Sequence, residues 1–491
     1  MTAPASRREN APRSAPVSAA FSATSVLVLV ADGARPDSLA AAMDDGHLPA
    51  MSRLRAEGGL HTITSVFPSV TGPAYTPFLI GRHPASIGIP GLRWFDRSRT
   101  QCRFPGHSRS YVGHEMRCID DDLDAGAPTA FELAAPSLGA LSVIRRGLPK
   151  SGQIGTTLPF LLHAFQTHVR GDIHGWLDID RRTSAELVER VSTERPRFAF
   201  AAFVGIDKTS HARGHDDPIV RDAMRIVDDT VAAIRERAER QGVWHQTLLC
   251  VVSDHGHSAV AQHDDLVPLI QSLGHRTIAH PWVMKPRASV AVMVSGNAMA
   301  HVYLEISRRT RPGWGALAAR WEPLAESLLA RPSVDLMLLP RDAFTCEVRA
   351  RDRGAAIVSR EGDRYSYRRI GGDPLALGAD HLALTEREAY ALTIATDYPD
   401  SLIQVAAITA CARSGDVILS ASRTWDFREQ FEPIPHRSSH GAMHREHMLV
   451  PLLCSQALAG TPQRTVDVMP TALDALGVPI PANVEGASFL R

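Results

Sequence analysis

Three apolar runs lead into aspartates: Ser25–Val30 before Asp32, Phe198–Val204 before Asp207, and Thr247–Val252 before Asp254. Carboxylates gathered at one point repel one another and raise one another's pKa values, and a cation is the simplest remedy. Histidines stand beside two of the three. His255 directly follows Asp254, and His211 lies four residues after Asp207, the spacing that places two side chains on one side of a helical turn. A D-x₃-H spacing also arises by chance, and Asp32 before Pro36 could equally be a helix cap. Ser253-Asp254-His255-Gly256 requires the chain to turn if both ligands are to reach one ion, and Gly256 permits a turn. A late His440-Gly441 follows Ser438-Ser439, with His436, His444 and His447 in the same stretch, so spacing alone does not choose among the four. Thr71-Gly72-Pro73-Ala74 adds a hydroxyl at a helix start, either a simple N-cap or a nucleophile beside a phosphate site. Ser69 and Thr76 compete with Thr71 for that role. These residue types describe a metal-centred enzyme site.

The elements that would position them follow from hydrophobic pattern. Continuous apolar runs of this length read as strands buried on both faces, as in parallel sheets, whose ligands collect beyond the carboxyl ends. Helices are predicted at Pro36–Met43, Met51–Glu57, Arg182–Ser192 and Pro218–Glu239, the last with apolar residues on one face at a 3.6-residue period. Strand, helix, strand in this order implies a right-handed βαβ unit. Thr62–Val66 reads as a short strand ahead of Thr71, and residues 96–128 as a polar surface excursion. From about 275 to 430 the pattern changes to short β-like runs (Ser289–Val294, His301–Ile306, Ala355–Val358, Tyr365–Arg369, Asp416–Ser420) with helical pieces between them. The expected architecture is α/β: a central, mostly parallel sheet flanked by helices, with an inserted α+β cap. Residues 1–22 form a disordered tail, 23–272 and 431–491 the catalytic core, and 273–430 the cap.

The 491 residues exceed one ordinary core, and the equal numbers of basic and acidic residues (53 each) give no basic footprint for a nucleic-acid polymer. No apolar run approaches the roughly 18–20 residues of a membrane span. The cysteines Cys102, Cys118, Cys250, Cys346, Cys411 and Cys454 show no CxxC spacing and read as free thiols. The tail lacks the apolar stretch of a secretory signal, so a cytoplasmic location is expected.

The ordered set resembles the alkaline phosphatase superfamily, in particular its type I phosphodiesterase/nucleotide pyrophosphatase branch. That branch shows a strand-terminal Asp, a Thr nucleophile at a helix start, D-x₃-H, S-D-H-G and a late H-G. The resemblance covers about 24–272 and 436–490, where Val466–Thr471 and Leu476-Gly477-Val478-Pro479 fit the family's ending. It implies two divalent metals, usually zinc, with manganese or iron also compatible. One is held by Asp207, His211 and His440, the other by Asp32, Asp254, His255 and the Thr71 hydroxyl. Thr71 is selected because Gly81-Arg82-His83-Pro84 then falls at the family spacing, and it would form a phospho-threonine intermediate. The expected substrate is a small phosphate ester, most simply a diester. A phosphomonoesterase or phosphonate (C–P) hydrolase with the same site is the alternative, and a non-catalytic binding relative would have lost ligands. The family's Phe-Pro-Asn and a later Asn near the phosphate are missing, which puts nucleotide specificity in doubt. Arg93 is the nearby cation that could contact phosphate. Thr71-Gly72-Pro73 echoes the sulfatase motif, but no Cys or following Arg completes it.

Overall fold

A computed structural model describes residues 21–98, 108–281, 283, 285–428 and 436–490. Most of the predicted tail and Cys102 lie outside the described residues. The three aspartate-terminated runs form adjacent strands at the centre of a seven-stranded sheet. Its order is Leu60–Thr64, Leu449–Cys454, Thr247–Val252, Ser25–Ala31, Phe198–Phe203, Ser137–Ala140, Gln153–Ile154. Leu449–Cys454 runs antiparallel to both its neighbours, and the pairs from Thr247–Val252 to Gln153–Ile154 are parallel.

Alternation along the central strand explains the continuous apolar run. Val26, Val28 and Val30 enter a core on one face, and Leu27, Leu29 and Ala31 a second core on the other. Helices Pro36–Asp44, Pro49–Gly58, Ile173–Glu194 and Pro218–Arg240 contribute to the second core. Val468–Ala475 and the segment after Thr71 contribute to the first. Burial on both faces is worth about 1.5–3 kcal/mol per large side chain, so a strand slip that exposed these residues would be costly.

A nine-stranded, largely antiparallel sheet takes all its strands from Thr277 to Ala421. Helix Trp314–Leu329 packs on one face, and helices Glu386–Thr393 and Ser401–Ala410 on the other. A small three-stranded sheet joins Ser258–His263, Thr424–Asp426 and Ser438–Ser439, so the late His440 segment is tied to the strand that leaves Asp254-His255. Among the described residues, no helix is long and apolar enough to cross a membrane.

Candidate metal centre and nucleophile

The central strands end level with one another. Val30 pairs with Ala202 and Val252, and Ala31 with Phe203. Asp32 continues the first strand, its N–H donating to the Phe203 carbonyl at 3.1 Å. Asp207 and His211 lie on the helix Gly205–Arg213, whose N-terminal amides at Val204 and Gly205 are capped from another helix by the buried Asp180 carboxylate at 3.1 and 2.7 Å. The four-residue spacing brings His211 Nε2 to 3.1 Å from Asp207 Oδ1.

Asp254 and His255 occupy the turn after the third strand. Gly256 serves that turn differently from the sequence expectation. Its φ is not positive; instead a Cβ there would meet the Glu446 carbonyl oxygen at 2.1 Å, so close approach of two chains demands glycine. Gly33, at φ +80°, does need left-handed freedom, and its N–H reaches Asp254 Oδ1 at 3.3 Å.

Two groups of donors result. Asp32, Asp254 and His255 form one; Asp207, His257 and His440 form the other, with His255 also within reach. Asp207 Oδ1 faces His257 Nε2 at 3.0 Å, His211 Nε2 at 3.1 Å and His440 Nε2 at 3.4 Å. His257 was not read from the sequence. Its signal was its place two residues after His255, in a turn where the chain doubles back across the site.

The outer ring nitrogens explain how these imidazoles are aimed. His211 Nδ1 contacts the Ser438 carbonyl at 2.8 Å, His440 Nδ1 the Ser69 carbonyl at 3.0 Å, and His255 Nδ1 the Gly256 carbonyl at 3.2 Å. A carbonyl only accepts, so Nδ1 carries a proton in each; burial keeps His255 and His440 neutral, so their Nε2 atoms present lone pairs to the cluster. His257 Nδ1 meets the Ser438 hydroxyl at 2.8 Å. His440 also stacks on His255 at 3.6 Å between ring centroids.

The electrostatics are frustrated without a cation. Burial, then the charge of Asp207, pushes the Asp32 carboxyl up to about 7. Burial and the same neighbours raise Asp254 well above the usual range, and its Oδ2 has no hydrogen-bond partner although fully buried. Burial works to raise Asp207 as well, but His211 and Lys208 outweigh it and hold it low. Burial lowers His255 to about 3 and takes His257 and His440 well below the imidazole range. Neutral imidazoles and crowded carboxylates, with an orphaned oxygen among them, fit divalent ions of the zinc, manganese or iron type.

Thr71 is aimed at this cluster. Its Oγ1 lies 3.1 and 3.3 Å from the two Asp32 oxygens and 3.1 Å from His255 Nε2. The competitors are spent elsewhere. Ser69 donates to the Ala442 carbonyl, and Thr76 to the Pro73 carbonyl, both fully buried. Thr71 sits just before Gly72 (φ +94°), which caps a short 3₁₀ turn, Pro73–Tyr75, leading into Thr76–Ile80. Pro77 therefore falls in a first turn, where a missing N–H costs nothing. Tyr75 OH donates to Asp32 Oδ2 at 2.7 Å, fixing that carboxylate from behind.

Among the four late histidines, only His440 meets Asp207 directly in the described contacts. His444 pairs with Glu446, His447 with the Ser258 hydroxyl, and His436 stacks on the outer side of His211 at 4.4 Å. Arg93 lies in a buried two-stranded ribbon with Nε donating to Ser110 at 3.3 Å. No described hydrogen bond links it to Thr71 or Asp32. A cation touches the cluster from the helix itself: Lys208 Nζ is 2.8 Å from Asp207 Oδ2.

A buried acidic and imidazole cluster at the carboxyl ends of a parallel sheet, with a hydroxyl against it, offers the donor set of a metal site beside a candidate nucleophile. The chain belongs to the type I phosphodiesterase / nucleotide pyrophosphatase family, whose profile matches residues 26–444, and it is a phosphoric ester hydrolase. Solved structures share the fold at low identity. Phosphonoacetate hydrolase from Sinorhizobium meliloti 1021, in complex with phosphonoformate, is 16% identical over 93% of this chain and 96% of that one, with a TM-score of 0.55. Murine ectonucleotide pyrophosphatase/phosphodiesterase 5 in complex with AMP is 15% identical over 94% and 97%, with a TM-score of 0.54. No curated protein sequence matches.

Proposed function

We propose that this protein hydrolyses a small phosphodiester through a covalent phospho-threonine on Thr71, at a centre for two divalent metals. The observation that carries the reading is the Thr71 hydroxyl held against Asp32 and His255 in a cluster of buried donors. Asp207, His211, His440 and additionally His257 would hold one ion, and Asp32, Asp254, His255 and Thr71 the other. Bound divalent ions would act as Lewis acids that offset charge on the attacking and leaving oxygens.

The chain's own residues supply the rest. Asp32, with one oxygen free of the ion, is placed to take the Thr71 proton as Oγ1 attacks phosphorus. The P–O bond to the leaving group breaks as the Thr71 Oγ1–P bond forms, and the released alkoxide takes a proton from solvent, balanced by the one that the hydrolytic water gives up. Attack of water on phosphorus then releases the second product and returns the proton to Oγ1. Tyr75 keeps Asp32 from turning away during both steps.

Tyr75, Gly72, Pro73 and Ala74 around the nucleophile are uncharged, which suits a phosphoryl group carrying one charge and a second ester. The fold shared with a phosphonoacetate hydrolase supports phosphonate hydrolysis at the same site as a second reading. The test is a substrate panel on metal-loaded protein. A higher kcat/KM for bis-(p-nitrophenyl) phosphate than for p-nitrophenyl phosphate and phosphonoacetate is expected. Preference for the monoester, or cleavage of phosphonoacetate alone, would overturn the diesterase assignment.

A further inference from the structure

The segment that delivers Thr71 has no regular structure between the strand ending at Thr64 and the turn at Pro73. Its backbone is held from outside the parallel sheet. Gln404, fully buried on the helix Ser401–Ala410, accepts from the Phe67 N–H through Oε1 at 2.7 Å. Its Nε2 donates to Asp400 Oδ2 at 2.8 Å and to the Ser65 carbonyl at 3.3 Å. The amide orientation is therefore fixed: the oxygen must face a donor and the nitrogen a carboxylate.

Asp400 is itself locked. It is buried, stands at φ +60°, and receives Arg464 Nε and Nη2 on its two oxygens at 2.8 and 2.9 Å. Ser65 passes the constraint onward, because its hydroxyl donates to the Asp254 carbonyl. One buried side chain thus grips the nucleophile segment and, through Ser65, the turn bearing Asp254 and His255. The far end of the segment is held by His440 Nδ1 on the Ser69 carbonyl and by Ser69 on the Ala442 carbonyl.

We propose that Gln404, oriented by Asp400 and Arg464, is a positioning residue that sets the reach of Thr71 into the metal cluster, so that a helix packed on the nine-stranded sheet controls the chemistry of the parallel one. The inference rests on Thr71 being the nucleophile. A displacement of about 1 Å in a reacting group costs on the order of 10²-fold in rate.

The test uses Gln404→Met, which keeps shape and removes all three hydrogen bonds, and Gln404→Glu. A protonated carboxyl at this position can still accept from Phe67 N–H and donate to Asp400; an ionised one cannot donate and faces Asp400. The charged and titratable groups around it are Asp400, Arg464, His83 at 3.5 Å, and their partners Glu386 and Glu485. Gln404→Met is expected to lower kcat on the order of 10²-fold, with KM within about threefold of wild type and metal content unchanged. Gln404→Glu should approach wild-type kcat in acid and lose it as pH rises, while the ratio of Gln404→Met to wild type stays flat with pH. Wild-type kcat in Gln404→Met alongside an inactive Thr71→Ala would overturn this inference alone. Loss of activity in step with lost metal or fold, with a flat pH ratio for Gln404→Glu, would also overturn it. Turnover by Thr71→Ala would instead overturn the nucleophile assignment.

Discussion

Asp32→Asn separates a metal centre from a structural polar cluster. Asp32 is fully buried, and burial together with Asp207 moves its carboxyl from 3.8 to about 7. The folded, metal-free protein therefore keeps a proton that the unfolded chain releases near 3.8. Stability is fully present below that value and declines as pH rises to about 7. A gap of about three pH units at ~1.4 kcal/mol each sets the loss at about 4 kcal/mol. An amide removes it. Its oxygen can accept from Tyr75 OH, and its NH₂ faces Thr71 Oγ1 and the His255 Nε2 lone pair. In chelator near pH 8, calorimetry should show Asp32→Asn melting above wild type, by up to roughly 4 °C, with the difference closing toward about pH 4. Zinc should stabilise wild type strongly and the variant weakly, because one ligand set has lost its charge. A variant that melts below wild type in chelator near pH 8 would refute the reasoning, since Asp32 would then be an ordinary satisfied carboxylate.

Elemental analysis of reconstituted protein should find about two divalent ions per chain, and less than one would count against the ligand sets. His257→Ala should weaken affinity for one of the two ions by about 10–100-fold in a competitive chelator titration. An unchanged affinity would show that His257 only packs against Gly33 and Asp207.

The site was legible where chemistry and strand pattern coincide. The runs ending at Asp32, Asp207 and Asp254 are buried on both faces, so they left an uninterrupted apolar signal and a polar residue at each sheet end. His211 was legible because a helix makes four residues a distance. What escaped depends on chain reversals. His257 reaches Asp207 only because the turn after Asp254 folds back, and Lys208 meets Asp207 only through the local side-chain direction. The helix Leu158–Arg170 escaped for another reason: Leu158, Leu161, Leu162, Phe165 and Val169 recur at helical spacing but are exposed, so their period does not report the core. The second sheet was read as short runs without partners, because strand pairing is not local. Gln404 carried no signal, since its contacts to the nucleophile segment, at Phe67 and Ser65, span more than three hundred positions.

The most direct test is to stop turnover with acid and map the protein by mass spectrometry. The account predicts a phosphoryl adduct on the peptide containing Thr71, on the oxygen held against Asp32 and His255, that is absent in Thr71→Ala. An adduct on Ser69 or Thr76, or wild-type turnover by Thr71→Ala, would contradict it.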